Sequence, residues 1–116
     1  DDRMLVRNIS DKEVLETTYR AHGGAIAQMI LDRRNLTEIG FLAIARLDPG
    51  KEIEAHVDPM EEIYFIVHGT GEMTVGEDTR PVKPGDAIWI PVGDSHALLN
   101  TGEEQCVVLV VASPAW

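Results

Sequence analysis

Two histidines and a group of carboxylates are the residues of this sequence whose types and spacing suit chemistry. His56 and Asp58 are two apart, so on an extended segment both side chains face the same way. Glu62 follows the turn at Pro59, at the mouth of the next apolar run, and His96 comes from a later hairpin that can lie beside the first. Neutral imidazole and ionised carboxylate together suit Fe, Mn, Ni or Zn. Two imidazoles converging with one or two carboxylates would therefore make a divalent-metal site of the two-histidine, one-carboxylate kind. Spacing alone leaves the alternative open: His56 and His96 as polar residues of surface turns, with Asp58, Glu61 and Glu62 as part of a solvated acidic face.

Around these residues the remaining candidates separate by parity and neighbourhood. Tyr64 and Ile66 share the parity of Glu62 and should line the same cavity, with Ile63, Phe65 and Val67 pointing the other way into an opposite packing layer. Tyr64 is then a candidate proton donor, the alternative being a buried tyrosine with one satisfied hydroxyl. His68 belongs to the turn before Gly69 and reads as a surface residue. His22, in Ala21-His22-Gly23-Gly24, lies where a segment could cover a cavity mouth or reach a partner subunit, which makes it a candidate substrate contact. Cys106 is the single cysteine and sits in the apolar run Cys106 to Val111, so it forms no internal disulfide and reads as a small buried hydrophobe. Asn35-Leu36-Thr37 is a glycosylation sequon on paper only, and Trp116 is expected to fray unless docked.

The elements that must position these side chains are short apolar runs between turn signals. Eight strands are expected: Ala25 to Leu31, Gly40 to Leu47, Ile53 to Val57, Ile63 to Val67, Glu72 to Val75, Ala87 to Ile90, Ala97 to Leu99 and Gln105 to Val111. Between them, Asp48-Pro49-Gly50, His68-Gly69-Thr70-Gly71, Lys83-Pro84-Gly85-Asp86, Pro91-Val92-Gly93-Asp94 and Asn100-Thr101-Gly102 supply fixed or positive φ. This is the punctuation of an all-β domain. Only Ser10-Asp11-Lys12-Glu13 ahead of Val14-Leu15 reads as a helix start, with Ser10 as N-cap and Glu13 completing a capping box.

Composition narrows the function classes. A chain of 116 residues, 44% hydrophobic, suits one domain with one core. Ten Lys and Arg against twenty Asp and Glu give a formal net charge of -10, which repels phosphate backbones and anionic membrane faces. No nucleic-acid partner is expected. No apolar stretch approaches the roughly 20 residues that cross a bilayer, and Asp1-Asp2-Arg3 lacks a basic signal-peptide flank. A cytoplasmic protein without a membrane partner is the expectation, with Met4 read as the natural first residue.

At this point the spacing matches a family pattern. Gly50-x5-His56-x-Asp58-x3-Glu62-x6-Gly69 resembles the first motif of the cupin superfamily, and Gly85-x5-Pro91-x-Gly93-x2-His96-x3-Asn100 resembles the second at every defining position. The two span 51 of 116 residues with a 15-residue gap from Thr70 to Pro84, similar to small single-domain microbial cupins. The resemblance implies a double-stranded β-helix, a jelly-roll barrel with its site inside the mouth. It implies one cupin domain over residues 1-116, with 1-24 as an N-terminal arm, 25-112 as the barrel and 113-116 as a tail.

Carried over residue by residue, the resemblance makes His56, Glu62 and His96 metal ligands, with Asp58 a substitution where family members usually carry a second histidine. One divalent ion per chain is implied, with Fe or Mn preferred over Zn, Ni and Cu because the set is rich in carboxylate. A ligating Asp58 would cancel much of the ion's charge and weaken its pull on an anionic substrate, which argues against oxalate-type chemistry. With Asp58 turned away, open positions would remain for a chelating substrate or for O2. Asp58 and Tyr64 are the candidate catalytic groups. The function expected is a metal-dependent enzyme of dioxygenase, decarboxylase, isomerase or lyase type acting on a small organic molecule, the alternative being a non-catalytic binding or sensing cupin. Ala87 to Ile90 and Val107 to Val111 are apolar on both faces, so a homodimer is expected to cover what one chain leaves exposed, with Met4 to Ile9 crossing to the neighbour.

Overall fold

In the computed structural model, which describes residues 4-114, ten strands alternate with tight turns behind one short helix. The helix α1 spans Lys12–Leu15. The strands are β1 Tyr19–Ala21, β2 Ala25–Leu31, β3 Phe41–Leu47, β4 Glu52–His56, β5 Glu61–His68, β6 Gly71–Val75, β7 Asp78–Val82, β8 Ala87–Ile90, β9 His96–Asn100 and β10 Cys106–Ser113. All pairings are antiparallel and form two sheets, β1-β2-β3-β10-β5-β8 and β4-β9-β6-β7. This is the double-stranded β-helix that the motif resemblance implies. Trp116 and Asp1-Asp2-Arg3, singled out in the sequence, lie outside the described residues.

The period-2 pattern of the sequence becomes the layering. Leu47, Ile66, Ile90, Leu98 and Val108 point between the sheets and are fully buried, each contributing about 1.5–3 kcal/mol over an exposed position. Cys106 is buried in the same core, and burial pushes its thiol pKa up. Asn100, also buried, closes the β9–β10 loop: its Nδ2 donates to the carbonyls of Leu47 and Glu104, at 2.8 and 2.9 Å, and its Oδ1 accepts from Gly102 N. All its donors and acceptors are used, which makes burial tolerable.

Four expectations need correction. Two strands were not read from the sequence: β1, which lies within the expected arm and has only three residues, and β7, whose Asp78-Thr79-Arg80-Pro81-Val82 has no apolar alternation. β7 is the edge of its sheet, where proline is tolerated because no ladder donor is needed on the open side. The helix N-cap is Asp11 without a side-chain cap, not Ser10. Asn8 has taken Ser10 into a turn of its own, its Oδ1 accepting from both the Ser10 amide and hydroxyl. Finally, Ile63, Phe65 and Val67 meet no packing layer. They lie on the outer face of the six-stranded sheet, of which α1 covers only the region around Ile30 and Ile44, through Val14.

Candidate metal centre

β4 and β9 bring the two histidines together. His56 is paired directly with His96, and Ile53 with Leu98, so β4 carries one residue more than β9 between these points. Ile53 and His56 are three apart and would face opposite sides of a regular strand. The bulge restores the phase and turns both inward, the use bulges commonly have beside functional sites. The two rings then lie 4.2 Å apart between centroids.

Each ring is oriented from behind. His56 Nδ1 donates to the Glu54 carbonyl at 2.8 Å, and His96 Nδ1 to the Asp94 carbonyl at 3.0 Å. An Nδ1–H so engaged leaves Nε2 of each ring as the nitrogen facing the barrel, the one a metal-ligating imidazole offers. Asp58 Oδ2 lies 3.1 Å from His56 Nε2 and 3.7 Å from His96 Nε2, and Glu62 Oε2 lies 3.3 Å from His96 Nε2. Val57 points outward and Asp58 inward, so the two-residue parity persists past the end of β4.

Burial and the facing carboxylates compete in the electrostatics here. Glu62, 3% exposed, has its pKa raised by burial; the His96 ring works against that rise, and Asp58 adds to it. For His96, 1% exposed, burial opposes the charged ring, yet Glu62, the Asp94 carbonyl and Asp58 together outweigh it and raise the pKa. Glu62 Oε2 and His96 Nε2 are both buried without a hydrogen-bond partner. Leaving such atoms unsatisfied costs about 1–3 kcal/mol each. A cation bound by both removes that cost, and the donors are those a divalent ion takes, so the residues fit a metal. Asp58, Glu62 and His96 present ligand atoms all within 4.8 Å of one another, and so do His22, His56 and Asp58.

A cavity of about 240 Å³ opens beside these residues. One wall carries Ala25, Ala27, Ala43 and Ala45, with Met29 and Phe41, and these small side chains are what leave the space. Tyr64 is buried at its inner end, with its pKa raised by burial first and then by Glu62, Asp58 and Tyr19. Its ring meets the edge of His96 at 5.8 Å. Tyr19 also lines the cavity, its pKa raised by burial and by Asp58. Sequence reading missed Tyr19 because β1 is too short to show a period. His22 is closer to the centre than a rim contact, stacked on His56 with centroids 3.4 Å apart and planes within 6°. His68 is on the surface, with Nδ1 against the Gln105 carbonyl at 3.1 Å.

Comparison with known proteins agrees with this architecture. A Streptomyces coelicolor protein of uncharacterized role is 30% identical, over 86% of this chain and 90% of its own. The polyketide synthase CurC of Streptomyces cyaneus is 27% identical, over 97% of this chain and 73% of its own. Among solved structures, a Thermotoga maritima protein described as a predicted oxalate decarboxylase superposes with a TM-score of 0.82 at 26% identity, covering 95% of this chain and 99% of that one. Residues 43–112 match the cupin domain family, and with the two-sheet barrel around them the chain belongs to the cupin superfamily.

Proposed function

We propose that this cupin holds one divalent ion through His56, Glu62 and His96, with Asp58 beside it, and acts on a small, largely apolar organic molecule bound in the barrel mouth. The observation that carries the reading is the facing pair of buried, unpartnered ligand atoms, Glu62 Oε2 and His96 Nε2. Fe or Mn is preferred over Zn, Ni and Cu because carboxylates supply up to half of the set. Such an ion, when bound, supplies a Lewis acid for a chelating substrate oxygen and, for Fe or Mn, a redox centre.

The chain's own groups define the substrate. Asp58 and Glu62 repel a small dianion, and the alanine wall, Met29 and Phe41 offer apolar surface but no cationic group. An oxalate-like ligand fits this poorly, whatever the description of the Thermotoga protein. A planar or branched apolar molecule with one or two oxygens fits better, in line with the similarity to the polyketide synthase CurC of Streptomyces cyaneus. Tyr64 and Tyr19 keep their hydroxyl protons, because burial opposes the phenolate in both. They serve as hydrogen-bond donors to substrate oxygen, and Asp58 is the proton acceptor within reach of both imidazoles.

The test is metal analysis of chain purified without chelator, alongside the His96→Ala variant. One equivalent of divalent ion in the parent and none in the variant is the expected outcome; full occupancy in His96→Ala overturns the ligand set. Turnover of a panel of apolar phenolic and carbonyl compounds by the loaded protein then tests catalysis, and binding without turnover assigns the chain to the non-catalytic alternative. Self-association through the outer face of the six-stranded sheet is part of the same proposal.

A further inference from the structure

We propose that His22 is a ligand of the same ion, supplying from the β1–β2 turn a third imidazole beside Asp58. The inference rests on the metal reading above and adds a residue that lies far from both motifs in sequence.

The first observation is position. The His22 ring lies flat on the ring of His56, and one of its nitrogens falls within 4.8 Å of ligand atoms of both His56 and Asp58. Asp58 belongs to both His22-His56-Asp58 and Asp58-Glu62-His96, so the two groups surround one space. Parallel rings cannot both aim a lone pair at one ion, and coordination requires one to tip off the stack. His56 is pinned by its Nδ1 hydrogen bond to Glu54. His22 is exposed and has no such anchor on its ring among the described residues, so His22 is the ring that turns.

The second observation is how firmly the main chain of this turn is held. Glu54 N donates to the His22 carbonyl at 2.8 Å, Gly24 N to the Glu52 carbonyl at 2.9 Å, and Gly23 bridges to Ile53. Those partners are the strand that carries His56. A Cβ on Gly24 would come within 2.6 Å of the Glu52 carbonyl oxygen, and Gly23 has φ +91°, a conformation that side chains rarely adopt, so glycine suits both positions. His22 itself has φ +47°, the one non-glycine in that region among the described residues. Asn or Gly would sit there with less strain. Beyond its stacking on His56, an exposed side chain has little packing reason to be an imidazole in place of either; donating a nitrogen lone pair to the ion gives one.

The experiment counts nitrogens. The metal-stripped 116-residue chain is loaded with one equivalent of Cu(II), and the nitrogen hyperfine pattern is read by electron paramagnetic resonance. Zn(II) affinity is measured in parallel against a chelating dye. Three imidazole nitrogens are expected in the parent and two in His22→Gly, which the left-handed backbone accepts. Zn(II) affinity should fall at least about tenfold, the lower end of what losing a supporting partner costs a metal site. His22→Asn, a second variant suited to this φ, should behave the same way. Adding Asp58→His to His22→Gly should restore both the third nitrogen and the affinity, which a purely structural role for His22 would not produce. Two nitrogens in the parent, or the same count and affinity in His22→Gly, overturn the proposal and leave the His56, Glu62 and His96 set standing. A parent chain that takes up neither ion removes the metal reading as well.

Discussion

His56 stands directly opposite His96 across the β4–β9 pair although it lies three positions, an odd number, from the inward-facing Ile53. The spare residue of the β4 bulge reconciles the two. Removing Ala55 should therefore convert β4 to a regular strand in which Ile53 and His56 are two apart and still share the inner face. Stoichiometric metal should survive the deletion at saturating ion. Affinity should fall by no more than about ten- to a hundredfold, since only the carbonyl behind His56 Nδ1 changes. Loss of all metal, measured by elemental analysis on folded deletion variant, would mean that the bulge does more than set phase.

Asp58 lies 3.1 Å from His56 Nε2 and 3.7 Å from His96 Nε2, close enough to share an ion with both. Asp58→Asn keeps the shape and removes a charge, so affinity should fall for every divalent ion tested. Asp58→His should shift preference toward Ni, Zn and Cu relative to Mn, because imidazole replaces carboxylate. Competition titrations among these ions read the shift directly. An unchanged order in Asp58→His would show that this side chain does not touch the ion.

Ala27 and Ala45 are register partners on β2 and β3, both buried and both on the cavity wall. Ala27→Leu or Ala45→Leu should fill space that the substrate needs while leaving the candidate ligands in place. Stability should hold or rise by about 0.5–2 kcal/mol, as cavity filling commonly gives. Bound ligand should be lost while metal is kept. A lowered melting temperature would mean that the wall has no spare room, since overpacking costs about 1–3 kcal/mol.

The sequence made the barrel and its centre legible to different depths. The turns and apolar runs mark eight of the ten strands, and the spacing of His56, Asp58, Glu62 and His96 marks the residues that the fold brings together. What escaped has physical reasons. β7 is a polar edge strand whose pairing comes from its hairpin with β6 rather than from burial, so no hydrophobic period announces it. The β4 bulge depends on the partner strand's register, which no single segment encodes. The approach of His22 and Tyr19 to the centre depends on the short β1–β2 hairpin and on its turn reaching β4, about thirty residues further along the chain. The parity of β5 was legible, but not which side of it would be covered: with two sheets there is one interior, and Ile63, Phe65 and Val67 are on the other side.

That uncovered side carries the last prediction. Ile63 pairs with Trp89 and Val111, and Phe65 with Ala87 and Leu109, so these side chains form one continuous apolar face over β8, β5 and β10. Trp89 is 63% exposed and Ile63, Phe65 and Val67 are each more than 40% exposed. Trp89 Nε1 already donates to Glu61 Oε2 at 2.8 Å, so burying the indole would strand no polar group. A second copy of this chain is the occupant that suits the face, because two identical, largely apolar surfaces can meet while most acidic side chains of each chain stay in solvent, Glu61 being the carboxylate on the face itself, held by Trp89. A stable pair buries about 1,200–2,000 Å² in total, and the exposed Met4, Leu5, Val6 and Ile9 are available to extend the face. Light scattering at micromolar concentration should give twice the 12.8 kDa of one chain. Phe65→Glu should return it to a monomer by placing like charges across the contact, with the metal content unchanged. A parent chain that scatters as a monomer would rule the second copy out.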